Sequence, residues 1–323
     1  MSRASQLLAI VISETAERGV QERYPTQPGL QESFATLTEQ RANLDRDRMA
    51  VRGVWYRPAG YFIQTPIATK HMTPNRNIDT LAAQLHESYR AGTKTSADDL
   101  KQLSIDEGYA VQRAFVSARN DEEGPVIGYK LGFTNEQIQR ETGVSEPVYG
   151  HLLQDTVDIE AVQLADLIDP RAEPEIMIRL GESLSATDSR EEVADIVESV
   201  TPVIEVVDSR IGSWDLAPGT AVADNALAAC LVTGPECQLS ECPPLPDVEV
   251  TVSSNDTKQT GRGEAVLGDP LEAVAWLSRT LDEPLPAGAA VSTGSLTNTV
   301  LLRSGTPVTA SFPSLGEVTL HPE

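Results

Sequence analysis

The sequence predicts an α+β fold in which a small helical N-terminal part leads into a strand-dominated body. Three observations carry this. Helical periodicity comes first in the patterned part of the chain, in two segments between residues 77 and 115. Strand-like runs rich in Val, Ile and Leu then take over and recur as far as residue 312. Only two helical stretches interrupt them, which points to a mixed or antiparallel sheet.

The elements follow in order. Asn77 to Tyr89 reads as an amphipathic helix with Ile78, Leu81, Leu85 and Tyr89 on one face. A second helix opens at Ser104, whose hydroxyl is a cap with the Glu107 carboxylate three residues on, and it runs through Phe115. The strand-like runs are Val126–Leu131, Ile176–Leu180, Val203–Val207, Ala229–Thr233, Val248–Ser253, Ala290–Thr293 and Val308–Phe312. Between them Arg190–Val200 and Leu271–Leu281 read as helices. No internal repeat or low-complexity tract is visible.

Charge divides the chain. Of 323 residues, 48 are Asp or Glu against 25 Lys or Arg, a formal net charge of −23. Residues 1–71 hold nine of the bases and seven of the acids, so they are near neutral and the acidity belongs to residues 72–323. That surface repels a phosphate backbone and excludes nucleic-acid binding through a basic footprint. Within residues 72–323 the lysines are Lys94, Lys101, Lys130 and Lys258. Acid-rich, lysine-poor composition is expected of a halophilic protein, whose self-repulsion strong salt screens. No apolar run approaches the ~20 residues that span a bilayer, and the run from Leu7 to Ile12 is too short for a signal-peptide core. A soluble, cytoplasmic protein is expected. Cys230, Cys237 and Cys242 form neither an even disulfide framework nor a zinc pattern and read as reduced thiols.

Residues 1–71 lack a sustained period apart from a short helical stretch over Ser5–Arg18, and Trp55, Tyr56, Tyr61 and Phe62 form an isolated aromatic cluster. This segment is expected to be a disordered extension or to lie upstream of a true start at Met72. Residues 72–323 are expected to form a single catalytic domain.

Three carboxylates stand out. Glu173 and Glu175, at i and i+2 on an extended chain, project to the same side. Glu205 sits within the run Val203–Val207, where a carboxylate is costly unless paired or bound to a cation. Three carboxylates on strands supply one face of a hard-cation octahedron and leave positions for water and a chelating substrate; exposed solvation is the alternative for the Glu-x-Glu pair, and ion pairing for Glu205. Lys130 ends an apolar strand between Gly128 and Gly132. Near a metal and apolar walls, such a lysine can have its pKa lowered and carry protons; a surface lysine is the alternative.

Together the motifs resemble the fumarylacetoacetate hydrolase superfamily, in its 2-keto-4-pentenoate hydratase and 4-oxalocrotonate decarboxylase branch. The resemblance rests on Gly128-Tyr-Lys-Leu-Gly-Phe-Thr134, residues 139–150, Pro170-Arg-Ala-Glu-Pro-Glu-Ile176, Ile204-Glu-Val-Val-Asp-Ser-Arg210, Val222-Ala-Asp-Asn-Ala226, residues 263–270 and Thr293-Gly-Ser-Leu-Thr297, in family order across residues 72–323. It implies a rolled mixed β-sheet body after the small helical part. It also implies Mg²⁺ or Mn²⁺ on Glu173, Glu175 and Glu205, a catalytic Lys130, and substrate contacts from Leu131, Gly294 and Ser295. The implied substrate is a small 2-oxo or 2-enol acid, and the implied assembly is a homo-oligomer or a hydratase–decarboxylase complex.

The expected reaction is hydration of 2-hydroxypenta-2,4-dienoate to 4-hydroxy-2-oxopentanoate in aromatic catabolism. Pro147-Val-Tyr-Gly150 stands where the hydratases usually have Pro-Asp-Phe-Gly, which looks more like the decarboxylase, whereas Gly294-Ser-Leu-Thr297 resembles the hydratase. Leu227-Ala228 replaces a usual Ser-Ser pair. An acylpyruvate hydrolase would want a His–carboxylate pair, with His86, His151 and His321 as candidates, of which His151 reads as a turn histidine. A non-catalytic acidic binding protein is the remaining alternative.

Overall fold

The computed structural model describes residues 77–95, 98–135, 139–140, 144–255 and 257–323. The expectations for residues 1–71, including the short helix and the aromatic cluster, lie outside the described residues. Helix α1 (Ile78–Ala91) is capped by the Asn77 side chain, which accepts from the Thr80 N–H at 3.2 Å. Helix α2 (Ile105–Glu123) opens on the expected capping box: Ser104 N–H donates to Glu107 Oε2 at 2.9 Å, and Glu107 N–H to Ser104 Oγ at 3.3 Å. The apolar faces of both helices meet over Leu81, Leu85, Val111 and Phe115, in a core separate from that of the sheets.

Among the described residues two sheets follow. The first contains β1 (Val126–Gly132), β2 (Val148–Leu153), β3 (Arg171–Leu180), β4 (Val197–Val207), β5 (Ala228–Thr233), β8 (Ala290–Ser292) and β9 (Val300–Leu301), in the order β2-β1-β8-β3-β4-β5 with β9 also on β3. The β1–β8 pair is parallel and the other pairs are antiparallel, so the sheet is mixed. The second sheet has the order β11-β10-β6-β7, from β6 (Glu249–Ser254), β7 (Thr257–Arg262), β10 (Val308–Phe312) and β11 (Gly316–Leu320). One large core joins one face of β3 (Ala172, Ile176, Ile178, Leu180) to the second sheet (Val250, Val252, Ala310, Val318) and to helix α5 (Pro270–Thr280). The other face of the curled first sheet carries the carboxylates.

Two expectations are corrected. The stretch Arg190–Val200 is not one helix: helix α3 covers Arg190–Asp195, and Val197–Val200 begins β4. Val200 is fully buried and pairs with Ile178, so sheet burial of β-branched residues wins over a short helical continuation. Strand β3 also starts before Ile176, at Arg171, which puts Glu173 and Glu175 inside the ladder rather than ahead of it. Strands β2, β9 and β11 and the polar, largely exposed β7 were not expected, nor was the short helix α4 (Pro218–Ala223).

Candidate metal and proton-transfer site

Register builds the site. In the β3–β4 ladder Glu173 lies directly opposite Glu205, and Glu175 follows two residues along β3, so the three side chains share one face. Each offers an oxygen within 4.8 Å of those of the other two. Glu175 Oε2 is fixed by the Ser292 hydroxyl, which donates at 2.6 Å, and by the Gly294 N–H at 3.0 Å. Gly294 has φ +112, and a Cβ there would collide with the Thr134 side chain, so this close approach requires glycine.

Lys130 reaches the same face from β1, through the β1–β8 pairing that sets it beside Ser292. Its Nζ lies 3.0 Å from Glu205 Oε2 in an ion pair that is buried on both sides, and it donates to the Ala226 carbonyl at 2.9 Å. That carbonyl is presented by unusual backbone: Asn225, Ala226 and Leu227 all have positive φ, at 53°, 50° and 65°. Left-handed conformations cost non-glycine residues energy and persist only where surroundings enforce them. Here the Asn225 amide clamps β2, accepting from the His151 N–H at 2.8 Å and donating to the His151 carbonyl at 2.9 Å.

The electrostatics are those of an incomplete charge cluster. Burial pushes Glu173 up to about 7, with Lys130 opposing, and raises Glu175 and, by more, Glu205. Lys130 moves opposite to the sequence expectation: burial would lower it, but Glu205, Glu173 and Glu175 outweigh burial and raise it. Glu175 Oε1 and both Glu205 oxygens are buried without a hydrogen bond of good geometry. Hydrogen-bond-starved carboxylates in an all-oxygen donor set are what a hard divalent cation requires, so the residues fit the expected metal.

The other expected residues divide. Leu131 alternates to the opposite face, where its side chain is buried in the main core, so only its main chain can face the site. Gly294 adjoins Glu175 through its N–H, and the Ser295 hydroxyl donates to the Thr297 carbonyl at 3.0 Å. His151 pairs with Tyr129, while Gly150 pairs with Lys130, so the imidazole lies on the face away from the carboxylates, against Tyr129 and Tyr149.

Residues not singled out from the sequence complete the surroundings. Ser292 comes to Glu175 only through tertiary pairing, and no local signal marks it. Arg171 shares the strand face of Glu173 and Glu175, joins Lys130 in weakly opposing the burial-driven rise of Glu173, and stacks on Trp214 with its guanidinium carbon 4.0 Å from the ring centroid; its spacing of two from Glu173 was a legible signal. The Asp208-Ser-Arg210 and Ala223-Asp-Asn225 motifs are tied together, since Arg210 Nη2 donates to the Asp224 carbonyl at 2.8 Å and Arg210 N–H to Asp224 Oδ2 at 2.8 Å.

Comparison with known proteins follows this geometry. The fumarylacetoacetate (FAA) hydrolase C-terminal family model matches residues 144–321. A 2-keto-4-pentenoate hydratase from Paraburkholderia xenovorans (strain LB400) is 32% identical over 256 residues, covering 76% of this chain and 95% of that protein. A 4-oxalocrotonate decarboxylase from Pseudomonas sp is 30% identical over 255 residues, covering 75% of this chain and 96% of that protein. Among solved structures, 4-oxalocrotonate decarboxylase from Pseudomonas putida G7, complexed with magnesium and adipate, superposes with a TM-score of 0.72 at 28% identity, covering 79% of this chain and 100% of that one. The same enzyme has also been solved with calcium and acetate.

Proposed function

This chain belongs to the fumarylacetoacetate hydrolase family, and from that premise we propose that it is a divalent-metal-dependent lyase of 2-oxo and 2-hydroxydienoic acids, acting as a 2-keto-4-pentenoate hydratase. The observation that carries the reading is the convergence of three carboxylates on one buried lysine, with Glu175 and Glu205 fully buried and short of hydrogen bonds and Glu173 partly buried beside them. Glu173, Glu175 and Glu205 are the ligands of Mg²⁺ or Mn²⁺. Bound there, the cation supplies Lewis-acid polarisation of the substrate's 2-oxygen and offsets the enolate charge that develops on it. Residues 72–323 form the catalytic domain.

Lys130 is the proton carrier. The 2-hydroxyl of 2-hydroxypenta-2,4-dienoate gives up its proton and C5 receives one, producing the 2-oxo-3-enoate. Water oxygen then adds at C4 and a proton at C3, giving 4-hydroxy-2-oxopentanoate. The Ala226 carbonyl holds the Lys130 ammonium in place, and Ser292 with the Gly294 N–H holds Glu175. The Leu131 main chain, Gly294 and Ser295 line the substrate. Of the histidines weighed for an acylpyruvate hydrolase, His151 faces away from the carboxylates, and His86 pairs with Glu122 at 3.3 Å between helices α1 and α2, which disfavours that reading.

A second reading, 4-oxalocrotonate decarboxylase, is favoured by one observation. Val148 lies on the strand face of Gly150 and Lys130 and is buried with Val222 and Ala226, an apolar wall with no carboxylate to orient an attacking water. Loss of CO₂ needs no such water and is helped by an apolar surround.

The test is to purify the chain, and residues 72–323 alone, with Mg²⁺ or Mn²⁺ and follow the ultraviolet absorbance of both substrates, with CO₂ detection for the second. Turnover of the dienoate without CO₂ release from 4-oxalocrotonate is expected. Release of CO₂ establishes the second reading, and turnover of neither with metal bound refutes both. Homo-oligomerisation, or association with a partner enzyme of the branch, is read from light scattering of the same preparations.

A further inference from the structure

The cysteines fall into a pair and a single residue once the chain folds. After β5 ends at Thr233, Cys237 is pinned to β4: its N–H donates to the Val200 carbonyl at 2.9 Å, and Val200 N–H donates to the Cys237 carbonyl at 2.9 Å. The chain then turns through a single 3₁₀ turn, Leu239–Glu241, in which the Gln238 N–H donates to Glu241 Oε2 at 3.3 Å. This turn brings Cys242 back, with its Sγ 3.0 Å from Cys237 Sγ. Both thiols are also held by main-chain carbonyls, Cys237 on Val200 at 3.4 Å and Cys242 on Gln238 at 3.2 Å, and both residues are only partly buried. Cys230 lies on β5, in the β4–β5 ladder opposite Val206, and its thiol is pushed up to about 12, chiefly by burial.

We propose that Cys237 and Cys242 are a dithiol modification site that closes reversibly to an intramolecular disulfide. The co-reactant is a low-molecular-weight disulfide. The thiolate of Cys242 attacks one sulfur of that disulfide, its S–S bond breaks, and one small thiol leaves with the proton. Cys237 Sγ, already in contact, then attacks the Cys242 sulfur of the mixed disulfide and expels the second small thiol. Two protein thiols are oxidised and one small disulfide is reduced to two thiols. The contact between the sulfurs makes the second step intramolecular and fast. The first step is slow at neutral pH, because burial and Cys237 push the Cys242 thiol up to about 12 and little thiolate is present. The product closes the loop 237–242 on itself, at the point where Cys237 is hydrogen-bonded to Val200 near the start of β4, the strand that carries Glu205.

The test begins with the full chain, fully reduced. Thiols are counted in denaturant before and after incubation with oxidised glutathione, and the product is mapped by mass spectrometry. The expected result is a fall from three titratable thiols to one, a mass lower by two hydrogens, a closed loop across residues 237–242, and full reversal by dithiothreitol. The closure rate rises with pH. Cys230→Ser closes as the parent does, whereas Cys242→Ser yields no loop. Three thiols remaining in the oxidised parent, a link that includes Cys230, or a disulfide between two chains would each overturn the proposal.

Discussion

Glu205 is a carboxylate that burial resists and two neighbouring carboxylates repel, with Lys130 as its only close cation among the described residues. Replacing it with glutamine keeps the shape and removes the charge. Glu205→Gln is expected to lower metal affinity and turnover by at least ~100-fold, measured by titration calorimetry and by the dienoate assay. The same variant should narrow the gap in melting temperature between metal-free and metal-loaded protein, because an uncompensated buried charge has gone. Lys130→Ala is expected to lower kcat by about 10²–10⁴ while metal binding survives; full activity would end its proton-carrier role. His151 gives a pH prediction. Burial lowers it to about 4, from an ordinary imidazole value of 6.5. Between those values the unfolded chain binds the proton and the folded one does not, so stability present above pH 6.5 is lost as pH falls toward 4. His151→Phe keeps the contacts with Tyr129 and Tyr149 and should spare about 2 kcal/mol of the loss between pH 7 and 5, read from urea unfolding.

At the scale of elements, the turn after α4 does the positioning that neither strand does alone. Three successive left-handed residues turn the Ala226 carbonyl onto Lys130, and the Asn225 amide holds them by both main-chain hydrogen bonds to His151. Asn225→Ala leaves a buried N–H and C=O unpaired and should cost about 1–3 kcal/mol. Its kcat should fall with KM little changed, since the change loosens the lysine rather than the metal ligands. By contrast Ser104→Ala removes only the cap of α2, remote from the carboxylates, and should cost ~1 kcal/mol with kcat unchanged. The pair of variants separates a positioning turn from an ordinary stabilising cap.

At the scale of the whole molecule, the net charge of −23 predicts that added KCl raises the melting temperature by screening repulsion; a melting temperature that falls with salt would contradict the salt-adapted reading of the surface. No described helix is long and apolar enough to cross a membrane. Much of this protein was legible from local pattern: the capping box at Ser104, the amphipathic face of α1, the strand runs, and Glu205 and Lys130 as unusual charges in apolar or glycine-flanked settings, whereas Glu173 and Glu175 drew their weight from the family resemblance. The local patterns depend on neighbours a few residues away, and short-range sterics and burial decide them. The boundary between α3 and β4 was not legible, because Val197–Val200 satisfies either period until Ile178 and its neighbours pair with it. Ser292 on Glu175, the Ala226 carbonyl on Lys130 and the Cys237–Cys242 contact were not legible either. Sequence alone determined which groups carry the charge and that a small helical part precedes a mixed sheet. Only the tertiary structure decided that Glu173 stands opposite Glu205, that Lys130 faces them while Leu131 and His151 face away, and that Val148 walls the site. The physical reason is that register and pleat sort side chains to one face or the other, and register is set by pairing between strands far apart in the chain.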